Sequence, residues 1–164
     1  MAIDFHARAN RGTYADRRAS AVWAETIRRL VDPTGRRVAD IGCGGGIYSR
    51  KWREIGADEV VGVDFSAEMI GAAREQAAGL SRVSFRQGDA AATGLPTGNV
   101  DIVFQRALIH HLKDYAACFA EARRLLVPGG RLIIQDRTPA DVELPGSPDH
   151  IRGYFFERFP RLLA

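Results

Sequence analysis

The chain has only two cysteines, Cys43 and Cys118, far apart and without CxxC spacing. That excludes a disulfide framework or a zinc ribbon as the organising device. No apolar run approaches the roughly 18 residues of a membrane span. The N-terminal stretch MAIDFHARANRG has no apolar signal core, so no membrane association and a cytoplasmic location are the expectations. Neither sign of charge dominates, the formal net charge being +3. Arg8, Arg11, Arg17 and Arg18 cluster near the N-terminus; a solvated helix face is the plainer reading, attraction of an anion the other. The aromatic–basic interleaving that single-stranded nucleic acid requires is missing, so nucleic acid is not an expected partner. No internal repeat and no low-complexity tract is present.

What is there is a single-domain length of 164 residues in which short apolar runs alternate with amphipathic ones. Arg37 to Ile41, Glu59 to Val63, Val83 to Gln87, Val100 to Phe104 and Arg131 to Gln135 read as strands. They are rich in Val and Ile and bounded by turn residues. Helices fill the gaps. Val22, Trp23, Ile27 and Leu30 form one stripe; Tyr48, Trp52 and Ile55 form the next. Ser66 reads as an N-cap, with Phe65 and Ile70 as a hydrophobic staple, for a helix carrying Met69, Ala73 and Ala77 and ending near Gly79. Tyr115, Phe119, Ala122 and Leu126 give a further stripe, stopped by Pro128-Gly129-Gly130. Its aromatics read as core. Strand–helix–strand repetition predicts an α/β doubly wound parallel sheet, with ligands at the carboxyl ends of the strands. Residues 1–35 read as an N-terminal helical segment, 36–136 as a core, and 137–164 as a loop and a helix around Tyr154, Phe155 and Phe159.

The strongest chemical signal is VADIGCGGGIYS, Val38 to Ser49. A buried strand reaches Asp40 and runs through Gly42, Cys43, Gly44, Gly45 and Gly46 into a helix. Glycine admits positive φ and lets a ligand approach bare backbone, and helix-start N–H groups receive a carboxylate. The dinucleotide fingerprint G-x-G-x-x-G fails here, because its third position falls on Ile47 or Ser49, and no Gly-Lys-Ser/Thr follows for a phosphate loop. Asp64 ends the next strand about 20 residues after Gly44, where a carboxylate accepts ribose hydroxyls or simply precedes a helix. Gly88-Asp89-Ala90 follows the third strand; alone it is a turn, and behind the first two signals it offers a carboxylate to an adenine amino group.

In order, VADIGCGGGIYS, VVGVDFSAEMI, FRQGDAAATGLP, VDIVFQRALIHHLKD and LLVPGGRLIIQD resemble the class I S-adenosylmethionine-dependent methyltransferases, over roughly Tyr14 to Asp136. The likeness is greatest to the small-molecule group that includes quinone-biosynthesis C-methyltransferases. It implies a Rossmann-like sheet of order 3-2-1-4-5, S-adenosylmethionine as cofactor and a small-molecule acceptor. It places Gly42 and Gly44, in the loop with Asp40 and Cys43, along the methionine portion. Asp64 goes to the ribose, with Phe65 and Met69 flanking the adenosine, and Asp89 and Ala90 go to the adenine. The Gln105 backbone goes beside the sulfonium, and Tyr14 near the cofactor. The family's sheet continues after its fifth strand with a helix and an antiparallel pair that this sequence does not carry, so a missing sheet edge and a homo-oligomer or partner that covers it are among the expectations.

Methyl transfer needs alignment in a dry pocket and, for some acceptors, a general base. His110 and His111 are candidates for the base, against a structural role at a helix start, and Arg106 for binding an acidic acceptor. Adjacent histidines without a spaced third ligand make a metal site unexpected. Two other readings stay open from the sequence: a non-catalytic or truncated cofactor-binding scaffold, and an NAD-linked oxidoreductase, which the glycine spacing disfavours.

Overall fold

The computed structural model describes residues 18–138. Tyr14, most of the arginine cluster and the segment around Tyr154 to Phe159 lie outside the described residues.

Helix α1 (Ala21–Leu30) starts at Ser20, whose hydroxyl accepts from the Trp23 N–H at 3.1 Å. The buried face is Trp23, Ala24 and Ile27, whereas Val22 and Leu30 are exposed at 72% and 55%. The expected stripe therefore sits a step off. Val22 and Trp23 are about 100° apart on a helix, and the larger ring takes the sheet. Strand β1 (Arg37–Ile41) enters the glycine loop and α2 (Ile47–Glu54); β2 (Glu59–Asp64) leads to α3 (Ala67–Gln76) and β3 (Val83–Gln87). A helix-free connection reaches β4 (Val100–Arg106), then a 3-10 turn (Ile109–His111), α4 (Tyr115–Leu125) and β5 (Leu126–Gln135). Strands β2 and β4 outrun their expected ends because parallel partners satisfy the extra residues: Asp64 pairs with Gln87 and Arg106 with Gln135.

The four strand pairings among the described residues are parallel and the order is β3-β2-β1-β4-β5, as expected. One face carries Trp23, Ile27, Val38, Trp52, Val60, Ile102 and Phe104. Its rings meet edge-on, Trp23 to Trp52 at 5.6 Å and 88° and Trp52 to Phe104 at 5.6 Å and 71°. The other face packs Ala39, Ile41, Val63 and Val103 against Ala122 and Leu125 of α4. The Trp23 indole N–H donates to Gln135 Oε1 at 3.0 Å, tying α1 to the end of β5.

Helix α4 departs from its expected face. Cys118, Glu121, Ala122 and Leu125 are buried, while Tyr115 and Phe119 are exposed at 49% and 38%. Glu121 holds the seam. Its carboxylate accepts from the Thr93 N–H at 2.9 Å, from the Thr93 hydroxyl, and from Arg124 at 2.7 and 2.8 Å. Arg124 also donates to the Leu95 carbonyl at 2.8 Å. This network fastens the helix-free β3–β4 connection to α4. Leu126, expected in the helix, already pairs with Val100 in the sheet, and the register shift before Ile102 pairs with Arg131 leaves the Pro128–Gly130 turn as a bulge inside β5. Among the described residues no helix is long and apolar enough to cross a membrane.

Candidate functional site

Parallel strands point all their carboxyl ends one way, so the loops after β1 to β5 form a single rim. The glycine loop lies at its centre. Gly42, Gly44 and Gly46 have φ of 75°, 51° and 74°, the left-handed region that L side chains resist. The three glycines answer to different neighbours. A Cβ at Gly42 would lie 2.9 Å from Leu108, and one at Gly46 2.7 Å from the Phe85 ring, whereas one at Gly44 would meet nothing within 4 Å. Gly42 and Gly46 are thus required by packing. Gly44 alone turns a bare face to open space.

Strand β2 clasps the loop. Gly42 and Cys43 N–H both donate to the Val63 carbonyl, at 2.7 and 3.1 Å. The Asp64 carboxylate accepts from the Gly44 N–H at 2.8 Å through one oxygen and from the Ser66 N–H at 2.9 Å through the other. Asp64 is buried at 7% exposure, with Phe65 beside it at 49%. The Ser66 hydroxyl caps α3, accepting from the Met69 N–H at 3.3 Å, and Met69 is buried. Gln87 at the β3 tip donates to the Phe65 carbonyl at 2.9 Å. On the next loop Asp89 is exposed and accepts from the Ala91 N–H at 2.8 Å, with Ala90 half-buried beside it. The tips of β1, β2 and β3 therefore bring together the glycines, Asp64, Phe65 and Asp89.

Other expected site residues sit deeper. The Cys43 side chain packs with Ile70, Ala73, Ala77 and Phe85, and burial, with Asp40 and Asp64 nearby, pushes its thiol well above the usual value. Asp40 is 2% exposed and accepts from the Ser49 hydroxyl at 2.6 Å. Burial raises its carboxyl to about 7 against the opposing Ser49 bond, and Asp64 adds to the rise. Gln105 is buried, its amide donating to Cys118 Sγ at 3.3 Å. The Arg106 guanidinium lies 4.5 Å over the Tyr48 ring.

His110 follows β4 and meets a residue to which the sequence motifs assign no role. Its Nδ1 lies 2.7 Å from Asp136 Oδ1, past the end of β5. The same carboxylate accepts from the Ile109 N–H at 2.9 Å and the Arg137 N–H at 2.8 Å. Burial pushes the Asp136 carboxyl up, but the Arg137 N–H and His110 outweigh it and hold it below the usual value. Burial, His110 and Arg137 lower His111. Among the described residues there is no cluster of His, Cys, Asp and Glu fit for a metal. A cavity of about 460 Å³ lies away from the rim's centre, against Arg37, Glu59, Ser84, Arg86, Leu95 and Asn99; the chemistry-bearing residues line the rim itself.

A family described as a methyltransferase domain matches residues 39–134, more than half of the chain. The chain belongs to that methyltransferase family. Phosphoethanolamine N-methyltransferase 1 of Arabidopsis thaliana is 34% identical over 116 residues, covering 68% of this methyltransferase chain and 23% of the plant protein. The ubiquinone biosynthesis O-methyltransferase of Xanthomonas oryzae pv. oryzae (strain PXO99A) is 34% identical over 118 residues, covering 70% and 49%. A solved S-adenosylmethionine dependent methyltransferase from Mesorhizobium loti superposes with a TM-score of 0.66 at 29% identity, covering 74% of this chain and 56% of that one. The matched part of this methyltransferase chain thus spans under a quarter of the one curated relative and about half of the other, 23% and 49%. The family match leaves the oxidoreductase reading without support.

Proposed function

We propose that this chain binds S-adenosylmethionine across the tips of β1, β2 and β3 and transfers its methyl group to a small-molecule acceptor. The observation that carries this is the loop at Gly44: bare backbone facing open space, held there by the carboxylate of Asp64. The residues fit the cofactor in chemistry and order. Gly42, Gly44 and the start of α2, where Gly46 provides no side-chain cap, suit an amino-acid carboxylate. Asp64 sets a carboxylate at the β2 tip, the group that suits a ribose diol. Phe65, exposed beside it, provides a face for the adenosine, and Asp89 with Ala90 lies one tip further along for the adenine. Met69, being buried, acts as backing for that wall, and the Gln105 backbone, at the end of the neighbouring strand, is assigned beside the sulfonium. Asp40, beneath the loop, supports it through Ser49 and α2. Tyr14 keeps its assignment near the cofactor from the sequence alone.

When bound, the cofactor supplies an electrophilic methyl group. The chain's part is to orient the acceptor in line with it, exclude water, and take a proton where the acceptor carries one. Calorimetry with S-adenosylmethionine and with its demethylated product, beside a product-release assay over amine, phenol and carboxylate acceptors, tests the reading. Binding at micromolar affinity with turnover supports it; no binding overturns it. Tight binding without turnover on any acceptor favours the scaffold reading, which the partial coverage of the relatives keeps in play.

A further inference from the structure

We propose that Arg106 binds the methyl acceptor, and that the acceptor carries an oxyanion group, a carboxylate or a phosphate. The proposal rests on the methyl-transfer reading and deepens it.

Position comes from the strand register and from contacts. Gln105 pairs with Ile41, the residue before Gly42. Arg106 therefore stands one step further, beside the start of the glycine loop, on a strand about 4.8 Å away. Side chains alternate along a strand, and Phe104 lies in the core with Trp23 and Trp52, so Arg106 emerges on that same face. Its guanidinium lies 4.5 Å from the centre of the Tyr48 ring. Tyr48 belongs to the first turn of α2, two residues after Gly46, where the loop ends. That ring is held in turn by Trp23 at 4.9 Å and by Phe104 at 6.0 Å. The loop is thus bordered at Gly42 by Leu108 and at the start of α2 by Arg106 over Tyr48.

The guanidinium there has donors to give. It carries five N–H groups and accepts nothing. The half-buried Arg37, Arg53 and Arg124 direct theirs at Asp101, at the Ser81 and Ala57 carbonyls, and at Glu121. Arg106 is half-buried as well, yet its Nε is shut off from water with no acceptor among the described residues. Asp40, the acid whose carboxyl feels the Arg106 charge, is 2% exposed and accepts from Ser49 instead. A cation over a ring is a weaker contact than a hydrogen bond to a charged group. A buried donor left unmet points to a ligand that brings the acceptor atom.

The donor set selects the ligand. The planar fork of a guanidinium matches a carboxylate or a phosphate, and the Tyr48 ring holds it in place without using a donor. Two molecules could bring such a group, the acceptor or the cofactor through its own carboxylate. The cofactor carboxylate has the start of α2, where Gly46 provides no side-chain cap. In the order β3-β2-β1-β4-β5, Arg106 lies across β1 from the tips of β2 and β3 that take the adenosine, on the side left for the acceptor. The methyl donor is a sulfonium, so an anionic acceptor is drawn to both cations and an ammonium end is repelled by Arg106.

Arginine side-chain ¹H–¹⁵N NMR and calorimetry test this on the full chain loaded with the demethylated cofactor. The probes are benzoate, its neutral counterpart benzamide, and inorganic phosphate. Benzoate or phosphate should move the Arg106 Nε–H resonance saturably and benzamide should not; the anion that binds more tightly names the group the acceptor bears. Arg106→Gln should weaken that anion by about 10- to 100-fold, and Arg106→Lys by less, since it keeps the charge without the fork. Arg106→Gln should hold S-adenosylmethionine affinity within about threefold. A resonance that neither anion moves, benzamide binding as tightly as benzoate, or an Arg106→Gln chain that keeps full anion affinity overturns the proposal. A larger loss of S-adenosylmethionine affinity in Arg106→Gln gives the arginine to the cofactor's carboxylate and overturns it too. Where Arg106→Gln does not fold, the wild-type titration decides. A wild-type chain that does not bind S-adenosylmethionine fails the methyltransferase reading instead, and the same titration of the ligand-free chain still judges the anion site.

Discussion

Replacing Asp64 with asparagine changes almost no volume but half of the acceptor capacity. In the native structure each carboxylate oxygen takes one backbone N–H, Gly44 at 2.8 Å and Ser66 at 2.9 Å. The amide has one oxygen, so its NH2 must face the other N–H, donor against donor. At 7% exposure water cannot fill the deficit. Hydrogen bonds to a charged group contribute about 1.5–3 kcal/mol, and one such bond is lost outright. The ligand-free chain should therefore lose about 2–3 kcal/mol of stability. Urea unfolding followed by tryptophan fluorescence reads this through Trp23 and Trp52, both in the first core; the midpoint should fall with the slope unchanged. Calorimetry should show S-adenosylmethionine binding weakened by tenfold or more, tenfold corresponding to about 1.4 kcal/mol. An unchanged midpoint would refute the clasp. A lowered midpoint with unchanged cofactor affinity would keep the clasp and remove Asp64 from the ribose.

The loop glycines should separate by substitution. Gly46→Ala drives a Cβ to 2.7 Å from Phe85, costing about 3 kcal/mol from strain and overpacking. Gly44→Ala meets open space and costs only the backbone strain, about 1–2 kcal/mol, while weakening cofactor binding; equal destabilisation in urea would contradict the division. Asp40, held at about 7 in the fold against 3.8 as reference, keeps a proton that the unfolded chain releases. Its contribution is thus present at low pH and lost as pH rises from about 4 to about 7, by up to about 1.4 kcal/mol per unit. Asp40→Asn should flatten that slope in urea midpoints taken across the range. Glu121 has the opposite sign, its Arg124 bonds holding it at about 2 against 4.5. Its stabilisation is complete above about 4.5 and lost as pH falls toward 2. Glu121→Gln should cost about 2 kcal/mol at neutral pH and much less at pH 2.

The strands were legible because both faces of a parallel sheet are buried, which leaves short Val- and Ile-rich runs between turn residues. The glycine loop was legible because only glycine takes positive φ there without strain. Helix faces were less so. A period of 3.6 admits neighbouring seams, and in α1 and α4 the seam went to Trp23–Ala24–Ile27 and Cys118–Ala122–Leu125. Glu121, a charged residue on α4, is buried because Thr93 and Arg124 bring it the donors that it needs.

Sequence alone thus determined the strand–helix alternation, the sheet order by likeness, and which tips bear glycine or carboxylate, since these depend on local backbone freedom and short-range patterning. Tertiary structure alone decided which glycine faces space and which faces Phe85, that Asp64 grips the loop, and that Asp136 meets a histidine 26 positions away. Those choices depend on distances between segments remote in the chain. They are set only when the strands align and their ends form one rim.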